Sequence, residues 1–160
     1  MYLRTEVLPK KTLVGRRLNM SLAHNRTFEL WSGFMPLRKT IADPVGSDLY
    51  SVQVFSEMPE GTSFGPDTGF EKWAAVEVKG EASYGDGLET LCLIGGLYAV
   101  FLHKGLSSEF NRTMDFIFKE WLPVSDYRLD HRPHFELLGS KYKNDRPESE
   151  EEVWIPIRPK

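Results

Sequence analysis

Tryptophan follows an acid and one spacer twice in this chain, at Glu71-Lys72-Trp73 and at Glu152-Val153-Trp154. A second pair of landmarks is Asn25-Arg26-Thr27 and Asn111-Arg112-Thr113, each early in an aromatic-rich helical pattern. Both pairs are offset by roughly eighty-odd residues, the signature of an internal repeat. A duplicated unit of this size folds as two halves about a pseudo-two-fold axis, and the cleft between them is a natural ligand site. Trp73 and Trp154 hold equivalent places and, by strand alternation, should both point into that cleft. Tyr50, on a neighbouring strand, is a third candidate wall. Each of the three also suits a plain core, and Tyr98 fits either role. Aromatic faces attract a delocalised cation by about 0.5–2 kcal/mol each, so such walls favour flat, positively charged molecules.

Other reactive residue types form no convincing site. His131-Arg132-Pro133-His134 has H-x-x-H spacing, but Pro133 prevents a regular helix there, and no metal is expected. Cys92 sits in an apolar run and reads as a buried, inert thiol. Gly95-Gly96 precedes a strand rather than a helix, so no phosphate loop is expected. The acidic run Glu148–Glu152 reads as a solvated loop edge. No cofactor is implied.

The elements that must position these residues follow from periodicity. Glu6–Met20 is extended, with Gly15 a candidate bulge. Asn25 caps a helix carrying Phe28, Trp31 and Met35 at i, i+3, i+7, with Phe34 beside the stripe, and Pro36 ends or kinks it. Trp31, Phe34 and, on the later helix, Trp121 must pack on a sheet before they can wall a ligand. Asp43-Pro44-Val45-Gly46 is a turn. Leu49–Phe55 alternates as a strand, Met58–Gly69 is a loop, and Phe70–Val78 is the next strand. Lys79–Leu88 links the halves. Tyr98–His103 is a strand, and after Leu106-Ser107 a helix places Phe110, Met114, Ile117 and Trp121 on one face, stopping at Pro123. His134–Leu138 and Glu152–Ile157 are strands around a polar loop at Gly139–Ser149. Each half reads strand–helix–strand–strand. The fold class is therefore α+β, an antiparallel sheet with helices on one side and a central ligand cleft. The chain reads as one domain, 1–160, with pseudo-repeats 1–79 and 89–160.

Bulk properties narrow the function. The chain has 160 residues, 41% hydrophobic and 27% charged, enough for a real core. A net charge of −3 and a pI near 5.8 argue against a dedicated DNA binder. One cysteine excludes an internal disulfide. Met1–Lys11 mixes charges and lacks a signal-peptide core, and the uncharged stretch Leu91–Leu102 is too short to span a bilayer. A cytoplasmic protein that neither enters membranes nor binds DNA directly is expected. The N-x-S/T matches at Asn19, Asn25 and Asn111 carry no weight without a secretory signal.

One stretch runs from Gly96-Leu97-Tyr98-Ala99-Val100-Phe101-Leu102-His103-Lys104-Gly105 through Glu120-Trp121-Leu122-Pro123. It continues through Arg132-Pro133-His134-Phe135-Glu136 and Asn144-Asp145 to Glu152-Val153-Trp154-Ile155-Pro156-Ile157. In order and spacing it resembles the GyrI-like family of small-molecule binding domains, also met as the effector-binding domain of AraC- and MerR-type regulators. Leu8-Pro9 with Val14-Gly15 and the aromatic strand Phe70–Val78 extend the resemblance over nearly the whole chain, which looks like a stand-alone member.

The resemblance implies that Glu136 sits at the pocket floor and pairs with a cationic ligand. From local sequence alone Glu136 would read as a surface acid or an arginine partner. A carboxylate in an apolar cleft costs several kcal/mol as a rough figure unless paired, and its pKa should rise when the site is empty. The leading expectation is a binding protein for amphipathic, aromatic or cationic small molecules, with Glu136, Trp154, Trp73, Tyr50, Phe34, Trp31 and Tyr98 as candidate ligand residues. The alternatives are a hydrolase of strained electrophiles, with Glu136 as base and Tyr50 or Tyr98 as polarising donor, and a partner of gyrase or of a regulator.

Overall fold

The computed structural model describes residues 1–56, 65–80 and 84–160. Residues 57–64, overlapping the expected Met58–Gly69 loop, and 81–83, within the expected linker, lie outside the described residues. The chain opens with β1 (Tyr2–Leu8), β2 (Lys11–Met20), α1 (Thr27–Arg38), β3 (Leu49–Val54) and β4 (Phe70–Val78). It continues with β5 (Glu89–Leu93), β6 (Gly96–Lys104) and a one-turn 3-10 entry at Ser107–Glu109 into α2 (Phe110–Asp115). A π-helical stretch (Phe116–Trp121) and a last turn, α3 (Leu122–Val124), extend α2. The chain ends in β7 (Tyr127–Leu129), β8 (His134–Leu138) and β9 (Glu150–Pro159).

The sheet is antiparallel, in the order β1-β6-β9-β8-β3-β4-β2-β5, with β7 on β9. Two strand–helix–strand–strand units are visible: β2-α1-β3-β4 and β6-α2-β8-β9. They meet where β3 pairs β8, with Val52 opposite Phe135. Each unit is bordered by a strand from elsewhere in the chain: β1 pairs β6, and β5 pairs β2. The segment expected as one extended run is thus two strands, broken at Pro9-Lys10. Both outer strands pair on one side only.

Helix packing follows apolar periodicity, with one correction. Leu30 and Phe34 are fully buried and dock α1 on Val14, Ala74 and Val76. Trp31 packs partly against this cluster, while Phe28 is 86% exposed and Met35 is exposed too. The expected Phe28–Trp31–Met35 stripe is therefore rotated, because Leu30 and Phe34 make the more apolar i, i+4 pair. The helix cap is Arg26 rather than the expected Asn25 and makes no side-chain cap bond; Asn25, one residue earlier, accepts the Thr27 N–H on its Oδ1 at 2.9 Å. The helix runs to Arg38, past Pro36. In the second unit Ile117 is fully buried, with Phe110, Met114 and Trp121 packed around it as expected. Pro123 sits inside the last helical turn rather than stopping it.

Gly15 is not a bulge. The β2–β4 register runs through it unbroken, Gly15 opposite Ala75. A Cβ there would run into the Ala74 carbonyl and approach the Ala75 Cα to 2.7 Å, so glycine permits close strand approach. Gly96, at φ 123°, begins β6, and a Cβ there would meet the Arg132 guanidinium at 2.5 Å. That guanidinium donates to the carbonyls of Gly95, Leu97 and Ile157, tying the sheet's end together. Cys92, expected buried, is exposed on the edge strand β5.

Candidate functional site

The two helices cover different ends of one sheet face. α1 packs on β2 and β4, the α2 segment on β6 and β9, and their clusters share no residue. The central strands β3 and β8 floor the groove between them. Val52 and Phe135 belong to the opposite face, so alternation turns Ser51, Gln53, His134 and Glu136 toward the helices. This floor is polar where the helix footings are apolar.

Glu136 is the acid of that floor. Its Oε1 accepts from Gln53 Nε2 at 3.3 Å. The two residues hold equivalent places, since Val52 pairs Trp73 as Phe135 pairs Trp154. The duplicated position is thus glutamine in one unit and glutamate in the other. Among the described residues no cation lies at ion-pair distance from Glu136. The residue keeps some solvent contact, but its carboxyl is hemmed in by protein, and that surrounding governs its titration. Burial pushes the carboxyl up to about 7, opposed by the Lys72 charge and the Gln53 bond. Glu151, on the same face of β9, is pushed up to about 8, by burial first and the Glu136 charge second, with Lys72 opposing. Lys72 itself donates to Thr27 Oγ1 at 3.1 Å, at the start of α1.

Three rings continue the same face. His134 meets Phe55 edge-on at 5.1 Å, and Phe55 meets Phe70 at 5.6 Å. Phe70 also borders a recess of about 400 Å³ with Asn19, Val54, Ser56, Gly69 and Glu71, of which Asn19, Val54 and Glu71 belong by alternation to the opposite face. Burial, reinforced by the Arg132 charge, pushes the His134 imidazole down to about 4.

The aromatics expected to wall the cleft lie elsewhere. Trp73, Trp154, Tyr50 and Tyr98 are all buried in one cluster on the face away from the helices. Phe135 is its centre, stacked on Trp154 at 5.2 Å, with Tyr98 at 5.4 Å and Tyr50 at 5.6 Å. The structure therefore does not bring them to Glu136; it separates them by the thickness of the sheet. Phe34 is core beneath α1, with Trp31 edge-on to it at 6.0 Å. The repeated acid–spacer–tryptophan has a local explanation. Trp73 Nε1 donates to Glu71 at 2.6 Å and Trp154 Nε1 to Glu152 at 3.1 Å. Arg17 and Arg4 then hold those acids at 2.8 and 3.1 Å.

Comparison with known families now has geometry to stand on. A family model described as the GyrI-like small molecule binding domain matches residues 3–158. The chain belongs to this family. No curated protein is similar enough to this GyrI-like chain to count as a match. Among solved structures, SAV2435 bound to tetraphenylphosphonium superposes with a TM-score of 0.72 at 16% identity, covering 99% of this chain and 94% of that one. The EcmrR C-terminal domain gives 0.74 at 12% identity, covering 100% and 99%. A hydrolase from Listeria innocua gives 0.63 at 10% identity, covering 97% and 91%. At these identities the likeness is one of fold.

Within this GyrI-like domain, sequence reasoning missed Gln53, Lys72, His134 and Glu151 as neighbours of Glu136. The acidic run read as a loop edge is partly strand: Glu150, Glu151 and Glu152 open β9, and Glu151 turns inward. The available signal was parity. Glu151 and Val153 share a face, and Val153 lies opposite Glu136.

Proposed function

We propose that this GyrI-like domain captures amphipathic, aromatic cations in the groove between α1 and the α2 segment, with Glu136 as charge partner. The rings of Phe55 and Phe70 form the apolar wall. One observation carries the reading: Glu136 is a protein-enclosed carboxyl that accepts a hydrogen bond from the Gln53 amide but has no ion-pair partner among the described residues. Such a group keeps its proton to a higher pH than an ordinary carboxyl when the groove is empty, and a cation beside the ionised form recovers the Coulomb attraction that burial makes strong. The fold is shared with a protein bound to tetraphenylphosphonium, a cation of this chemical kind. The hydrolase alternative assigns its polarising hydroxyl to Tyr50 or Tyr98. Tyr50 and Tyr98 face the other way, and Tyr98 donates to the Pro133 carbonyl at 2.8 Å, so binding is the better supported reading.

Titration calorimetry with tetraphenylphosphonium and with neutral triphenylphosphine oxide tests it. The cation should bind, and Glu136→Gln should weaken it by roughly tenfold, about 1.4 kcal/mol, while leaving the neutral compound nearly unchanged. Equal loss for both compounds would remove the electrostatic account.

A further inference from the structure

His134 is 5% exposed, and its Nε2 is the one buried side-chain polar atom among the described residues without a hydrogen-bond partner. Folded proteins leave few such atoms, and each calls for a physical reason. The candidates nearby do not satisfy it. Gln53, opposite in register, spends its amide on Glu136. The Phe55 ring offers an apolar edge. His134 lies two residues before Glu136 on the same face of β8, so their side chains stand about 6–7 Å apart along the groove floor.

We infer that His134 is a second polar anchor of this groove, so that the ligand it fits best carries a hydrogen-bonding group about 6–7 Å from its positive centre. This rests on the groove reading above and adds a recognition element to it. Glu136 takes the charge, and the imidazole takes a hydroxyl, amide or amine beside it. The arrangement favours this division of labour. The imidazole stays neutral under ordinary conditions, because burial and the Arg132 charge oppose its protonation. It therefore neither repels the cation nor competes for Glu136. A neutral imidazole offers one donor and one acceptor nitrogen, so either tautomer can meet the ligand.

The test uses a matched pair of cations, butyltriphenylphosphonium and 4-hydroxybutyltriphenylphosphonium. Calorimetry on the full chain should show the hydroxylated probe binding roughly fivefold more tightly. His134→Phe should abolish that preference, the two probes then binding alike within about twofold, and His134→Gln, which keeps a donor and an acceptor, should restore part of it. Should His134→Phe fail to fold, the unaltered protein still decides. The His134 ring-nitrogen resonance should move with the hydroxylated probe and stay put with the butyl one. A hydroxyl preference that survives in His134→Phe, or none in the unaltered protein while the butyl compound binds, would overturn this inference and leave the Glu136 reading standing. Binding of neither probe would overturn the groove reading and this inference with it.

Discussion

A glutamate whose folded pKa is raised is a liability that depends on pH. Glu136 rises from an ordinary 4.5 to about 7, and Glu151 to about 8. Between the unfolded and folded values the native state holds more protons than the unfolded chain, so stability falls as pH rises through that window. Above the folded value the loss is complete and constant. His134 acts in the opposite sense. Its folded value is depressed from 6.5 to about 4, so the stability it contributes is present above 6.5 and is lost as pH falls toward 4. Between pH 6.5 and 8 the carboxyls alone should set the slope among these three groups. The melting temperature should therefore fall from pH 6.5 to 8, less steeply in Glu136→Gln, and added tetraphenylphosphonium should flatten the slope in the unaltered protein. Identical slopes for protein and variant, followed by scanning calorimetry, would mean that the Glu136 carboxyl titrates as an ordinary exposed one.

The α1 helix separates what periodicity tells from what packing decides. Phe34 fills the cluster over Val14 and Ala74, whereas Phe28 faces solvent. Phe34→Ala should cost about 3–5 kcal/mol in urea unfolding, and Phe28→Ala should stay within about 0.5 kcal/mol. The reverse order would mean that the helix docks by its other side. Strands bounded by turn residues were legible: Phe70–Val78 and His134–Leu138 stand where the sequence puts them. β5 was not, because its five residues, Glu89 to Leu93, sit between glycines and carry an exposed cysteine. β7, at three residues, is below what a period can reveal. The site was half legible for a related reason. Alternation assigns Trp73 and Lys72 to opposite faces, but it does not say which face carries the helices. That depends on cross-strand register, which sets Trp154 against Phe135 and so turns Glu136 away from both. Glu136 was singled out through family resemblance; its structural neighbours needed the paired sheet.

At the scale of the molecule the two units are joined more tightly than a tandem repeat requires. The pseudo-repeats proposed at 1–79 and 89–160 each lend their first strand to the other: β1 closes on β6, and β5 closes on β2. The aromatic cluster spans both, with Tyr50, Val52 and Trp73 from one and Tyr98, Phe135 and Trp154 from the other. The groove floor is likewise shared, Gln53 from one unit touching Glu136 from the other. Cutting the chain after Lys79 would leave β2 without β5, β6 without β1 and a large aromatic face open to water. A split core of this kind does not sustain cooperative folding, since each fragment is near the size at which burial barely offsets chain entropy. Fragments 1–79 and 80–160, expressed apart, should show no cooperative melt by circular dichroism. Mixed, they should regain both the melt and tetraphenylphosphonium binding, because β1 and β5 remain free to cross. A fragment that melts cooperatively alone would mean that the exchanged strands are ornaments on self-sufficient units, and the shared groove would then need another origin.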